Sequence, residues 1–155
     1  MRRFLLSAFG LGLLPPIPGT YASAATVGAV LAVHGAGFGP GTPLLLGLLA
    51  FGTVATLALG HALSTPDGHG DPGWVVTDEV AGQALALIVA TASSSASGWW
   101  LAGLSFLLFR ILDMTKPGVI GVAERLPGGL GILCDDLVAG AIAGVLAGGV
   151  GSLVA

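Results

Sequence analysis

From Phe4 to Pro66 the chain carries no aspartate, glutamate, lysine or arginine, and two more charge-free stretches run from Val80 to Phe109 and from Leu137 to Ala155. A chain built this way has too few polar side chains to cover a core in water. Its charged share is 8% against 54% apolar, whereas soluble domains carry about a quarter charged residues. The mean hydropathy of +0.96 agrees. Lipid is therefore the expected solvent for most of the surface, and a bilayer demands that backbone polar groups be satisfied within helices. The length suits one domain over residues 1–155.

The same numbers exclude several functions. A net charge of -3 with no basic stripe argues against a nucleic-acid partner. Cys134 is the single cysteine, so an internal disulfide and a cysteine-built zinc site are both ruled out. Beside Asp135 it reads as a small buried hydrophobe.

The N-terminal stretch imitates a signal peptide: Arg2-Arg3, the apolar run Phe4 to Leu14, then Ala22-Ser23-Ala24. Three prolines in PPIPGT (Pro15 to Thr20) interrupt that pattern. The expectation is a short membrane-entering segment that breaks at Pro15, followed by a helix N-capped by Thr20, whose free backbone N–H groups suit a phosphate. Apolar runs follow at Tyr21 to Phe38 and Leu44 to Leu63. His34 and His61, with no carboxylate or second histidine at ligand spacing, read as packed or interfacial residues. Ser64 to Thr77 is a polar loop, in which His69 and Asp71 either reach a metal or form ordinary turns.

Two stripes say which way the acids point. Asp78, Gly82, Ala86 and Ala90 fall four apart, as do Asp136, Gly140, Gly144 and Gly148. Small residues at that spacing form the surface along which membrane helices approach each other. Asp78 and Asp136 therefore face a helix interface, Glu79 follows Asp78, and Asp135 lies about 100° around from Asp136. These faces also leave self-association open. Between the two stripes, FRILDMTKP (Phe109 to Pro117) places Arg110, Asp113 and Lys116 on one helical face before Pro117 stops the helix. Thr115 to Gly131 is expected to be a second polar loop. It carries Glu124, Arg125 and a glycine run without the Lys-Ser/Thr of a phosphate-binding P-loop.

With Arg2 and Arg3 placed in the cytoplasm, crossings at Tyr21 to Phe38, Leu44 to Leu63, Asp78 to Ala92, Trp99 to Met114 and Ile132 to Ala155 bring every charge to one membrane face. The fold class is then an all-α polytopic membrane bundle, with about five spanning helices and a short N-terminal membrane-associated segment. Crowded carboxylates repel unless a cation joins them. An all-oxygen cluster suits a hard ion such as Mg2+, which takes a few carboxylates together with phosphate oxygens. Asp78, Glu79, Asp113 and Asp136 are the candidate catalytic acids, and the same four together with Asp71 are the candidate metal ligands. Arg110, Lys116, Arg125 and Thr20 are the candidate phosphate contacts.

Four motifs in register, PIPGT, DPGWVVTDEVAG (Asp71 to Gly82), FRILDMTKP and GGLGILCDDLVAG (Gly128 to Gly140), resemble the phosphatidylglycerophosphatase A family over nearly the whole chain after residue 8. The resemblance implies an all-α, Mg2+-dependent phosphatase of the bacterial inner membrane. Its reaction would convert phosphatidylglycerophosphate to phosphatidylglycerol and inorganic phosphate. It also implies functional roles for Asp71, Asp78, Glu79, Asp113, Asp135 and Asp136, which adds Asp135 to the candidate metal ligands, and for Arg110 and Lys116. One departure stands out: the family often continues PGT with x-Gly-Ser, and this chain has Tyr21-Ala22-Ser23. Two other readings compete, a small carboxylate-lined transporter or ion channel, and a noncatalytic assembly subunit that uses its glycine stripes for packing.

Overall fold

The computed structural model describes residues 1–37, 41–60, 72–94 and 98–154. Among them every regular element is helical: α1 (Arg2–Leu6), α2 (Pro18–Gly35), α3 (Thr42–Gly60), α4 (Thr77–Ala92), α5 (Trp99–Thr115), α6 (Val119–Ala123) and α7 (Gly129–Val154), with one 3-10 turn at Leu11–Leu13. The all-α class is as expected. Among the described residues two helices, α3 and α7, are long and apolar enough to cross a bilayer, where five crossings were expected. At 16 and 17 residues α4 and α5 are shorter than a full span, and each gives up one end to charged side chains.

The ends of the helices follow local chemistry. Pro18 opens α2 because proline's fixed φ suits a first helical position, which moves the start two residues ahead of Thr20. Ile17, not Thr20, occupies the N-cap, and Thr20 lies within the first turn. Lys116 closes α5 in the left-handed region at φ 44, immediately before Pro117. The expected polar loop at Thr115 to Gly131 contains the short α6, whose Ile120 is fully buried against the Phe109 and Ala139 cluster. One apolar side chain at the right place was enough to fold that segment inward.

The N-terminal segment also differs from the expectation. It is not one helix up to Pro15, because α1 ends at Leu6 and Ala8, Phe9 and Gly10 all take positive φ. The chain turns back instead. Leu6 accepts a hydrogen bond from Val76 N at 2.9 Å, Ala8 packs with Ala22, Val76 and Val80, and Arg2 Nη2 donates to the Leu59 carbonyl at 2.6 Å. This strap covers the end of α3 and the entry to α4. The four last carbonyls of α3 need partners there, and Arg2 supplies one.

Helix α4 lies at the centre, in contact with α2, α3, α5 and α7. Its small-residue stripe meets that of α7. A Cβ added to Gly140 would run into the carbonyl of Gly82, one on Gly144 into Val89 and the Ala86 carbonyl, and one on Gly148 into the Ser93 hydroxyl. The glycine faces that the sequence left open for a second copy thus face each other within one chain. On its opposite side α4 is pinned to α3 by a buried 2.8 Å hydrogen bond between Thr56 and Thr77, and by Gly52, which leaves room for the Thr77 carbonyl.

Candidate active site

Helix α4 starts at Thr77, so Asp78 and Glu79 occupy its first turn, where the helix dipole favours negative charge. Asp136 reaches the same point from α7 because the Gly82–Gly140 contact leaves no side chain between the two backbones: a Cβ on Gly82 would approach the Asp136 carbonyl to 2.7 Å. One carboxylate oxygen from each of Asp78, Glu79 and Asp136 lies within 4.8 Å of the others. Asp78 and Asp136 are 2% and 3% exposed. At that range each ionised pair repels by about 3 kcal/mol at an effective dielectric near 20. A positive charge placed among the three removes that penalty, so the cluster could hold a metal ion.

Glu79 extends from α4 toward α2 and α5. The missing Cβ of Gly19 leaves the space that Glu79 Oε1 occupies, with Arg110 Nη1 on the same side. Arg110 pairs with Asp113 at 2.6 Å across one helical turn. Asp113 lies near enough to interact electrostatically with both Glu79 and Asp136. The result is a layered arrangement in which three acids from two helices are flanked by an Arg110–Asp113 pair from a third. The first turn of α2 closes the side next to Glu79.

Asp135 and Asp136 point to different partners. Asp135 accepts from Lys116 Nζ at 2.7 Å and from the Asp136 backbone N–H at 3.0 Å, while Lys116 also donates to Glu124 at 2.6 Å. Burial alone would weaken the Lys116 ammonium's hold on its proton. The hydrogen bonds to Asp135 and Glu124 outweigh that and push it above the ordinary lysine range. Lys116 thus serves as a counter-ion for Asp135, tying α5 to the α6 segment and to α7.

Of the acids singled out from the sequence, Asp78, Glu79 and Asp136 come together, with Asp113 alongside. Asp135 turns to Lys116. Asp71, together with His61 and His69, lies outside the described residues. Among the phosphate candidates Arg110 is at the cluster, Thr20 follows Gly19 in the first turn of α2, and Arg125 is exposed. His34 is exposed in the last turn of α2. Cys134 is half-buried rather than buried.

Sequence reasoning missed two residues at the site. Gly19 sits inside a motif that was noticed for its prolines and threonine. Gln83, the chain's single glutamine, follows Glu79 by one helical turn and is fully buried. An amide in an otherwise apolar run was the available signal.

The phosphatidylglycerophosphatase A family model matches residues 4–150. Phosphatidylglycerophosphatase A of Escherichia coli (strain K12) is 35% identical over 144 residues, which cover 92% of this chain and 79% of that protein. The Haemophilus influenzae phosphatidylglycerophosphatase A is 37% identical over 145 residues, covering 87% and 79%. A Bacteroides thetaiotaomicron relative, named provisionally as a phosphatidylinositol-3-phosphatase, is 30% identical over 90% of this chain and 87% of its own length. No solved structure matches the chain.

Proposed function

The chain belongs to the phosphatidylglycerophosphatase A family, and from that premise we propose that it hydrolyses the terminal phosphate monoester of phosphatidylglycerophosphate, releasing phosphatidylglycerol and inorganic phosphate. The observation that carries this reading is the meeting of Asp78, Glu79 and Asp136 within 4.8 Å, flanked by Arg110 and Asp113. Carboxylates alone would repel a phosphate. A cation among them, together with an arginine beside them, makes the same place attractive to one.

The donor set fits a hard divalent ion, Mg2+ by preference, because all three of its members are carboxylates. Asp78, Glu79 and Asp136 would hold that ion, which when bound supplies Lewis-acid polarisation of phosphate oxygens and activation of water. The remaining chemistry belongs to the chain. Arg110 offsets charge on the phosphoryl oxygens as it builds up, and Asp113 takes the proton of the attacking water. A water oxygen bonds to phosphorus, the bond from phosphorus to the headgroup glycerol oxygen breaks, and that oxygen takes up the proton held by Asp113 as it leaves. The small-residue contacts between α4 and α7 keep the acids at fixed separation. Lys116 holds Asp135 off the cluster.

We place the charged ends of α4, α5 and α7 at the cytoplasmic face of a bacterial inner membrane, with α2, α4 and α5 completing a five-helix spanning bundle beside α3 and α7. The substrate then stays in its leaflet while its headgroup reaches the acids. No observation favours the transporter reading: the family is one of phosphatases, and the clustered acids lie at one end of their helices.

The test is phosphate release from phosphatidylglycerophosphate by the purified protein in mixed micelles. Release with Mg2+, its loss in chelator and its loss in Asp136→Asn are the expected results. Acid quench after reaction with radiolabelled substrate should leave the protein unlabelled, and a labelled protein would replace direct hydrolysis with an aspartyl-phosphate route. No phosphate under any of these conditions, with ion flux in proteoliposomes, would overturn the enzyme.

A further inference from the structure

One helical turn below the acids, Gln83 is fully buried, and neither its amide nitrogen nor its amide oxygen has a hydrogen-bond partner. A buried amide without partners is destabilising, and native proteins rarely keep one without a use. Two other buried groups lack the complementary halves. Glu79, four residues earlier on the same face of α4, has its Oε2 atom buried and unpartnered, an acceptor for the Gln83 Nε2–H. Across the interface, Ser105 of α5 is fully buried and its hydroxyl is also unpartnered, a donor for Gln83 Oε1.

The depths agree. Helices α4 and α5 run in opposite directions, and the Phe109 ring of α5 touches Gly82 of α4. Ala102 of α5 packs in one cluster with Ala84 and Leu87 of α4, so Ser105, three residues nearer the charged end of α5, comes level with Gln83. Arg110, the other nearby donor, sits higher, where its Nη1 shares the space at Gly19 with Glu79.

We propose that Gln83 is a positioning residue for the acidic cluster: through a bridging water or a turn of its amide, Gln83 links Ser105 to Glu79 Oε2 and orients the Glu79 carboxylate for cation binding. This rests on the reading of the cluster as a cation site. Groups behind a metal ligand fix its orientation, and their loss weakens metal affinity about 10- to 100-fold. A glutamine with no role at the site would differ in affinity alone, since replacing an unpartnered amide by an apolar side chain of similar shape relieves the fold without touching affinity.

The experiment is Mn2+ titration of the purified, detergent-solubilised protein, with free Mn2+ followed by electron paramagnetic resonance and the thermal midpoint measured in chelator. Gln83→Met should fold with an equal or higher midpoint, yet bind Mn2+ at least about tenfold more weakly than wild type. Ser105→Ala should weaken binding in the same direction by a smaller factor. Equal affinity in wild type and both variants would overturn the role of Gln83 while leaving the cation site standing. Absence of Mn2+ binding in wild type would overturn the cation site, and the positioning role with it. Should Gln83→Met fail to fold, Ser105→Ala with unchanged affinity overturns the relay on its own.

Discussion

At one end of the α4–α7 pair, Gly82 and Gly140 bring two backbones together and Asp78, Glu79 and Asp136 crowd the space that results. At the other end Gly148 and Gly151 make the same kind of approach, and the groups they meet are the hydroxyls of Ser93 and Ser94. The packing device is one and the same, and at the far end Ser152 adds a 3.0 Å hydrogen bond to the Ser93 carbonyl. Close approach is cheap wherever neutral side chains face each other. Where three acids face each other it costs several kcal/mol unless something positive is bound, and local conflict of that kind is characteristic of functional sites.

The comparison breaks most completely at the acids. Asp136→Asn should lower phosphate release by about three orders of magnitude, equivalent to about 4 kcal/mol of barrier, while the thermal midpoint in chelator stays level or rises because one like charge is gone. A large fall in both quantities would mean that Asp136 supports the fold rather than the chemistry.

A matched pair of substitutions sharpens the contrast. Gly140→Ala places a Cβ against the Gly82 backbone, which has nowhere to go, and should destabilise by about 2 kcal/mol in denaturant or thermal unfolding, with reduced activity. Lys116→Met comes next. It leaves the Asp135 carboxylate buried without its counter-ion, at a cost of about 1 to 2 kcal/mol, less than for a fully buried pair because Lys116 still reaches solvent. A midpoint unchanged by Lys116→Met would show that Asp135 finds another partner.

The smallest effect belongs to Gly148→Ala, at the far end. The Cβ there meets the Ser93 hydroxyl, which can turn aside, and the Ser93 Cβ at 3.0 Å and Ala90 carbonyl at 3.1 Å, which need give by only a few tenths of an ångström; alanine regains helix propensity, so stability should stay within about 1 kcal/mol and activity should not change. If Gly148→Ala lowered activity as much as Gly140→Ala, the two ends would be mechanically coupled and the contrast between them would fail.

The chain's solvent, its helices and the inward aim of Asp78 and Asp136 were legible without coordinates. Composition sets the first, and a period of 3.6 residues sets the others within a single helix. Both stripes were found that way and they do face each other. Proline at Pro18 and the αL closure at Lys116 are equally local, although the first was assigned to the wrong residue because Thr20 offered a more familiar cap.

Which helix a face would meet, and at what depth, only the tertiary structure decided. Asp135 and Asp136 are neighbours in sequence, yet one belongs to Lys116 and the other to the cluster, because 100° of rotation points them at different helices. The same holds for Gly19 beneath Glu79, for the N-terminal strap folded onto Val76, and for Gln83 and Ser105, which share a layer by virtue of antiparallel packing. Periodicity fixes where a side chain points around its own axis. What waits there is supplied by residues tens of positions away, and no local pattern records them.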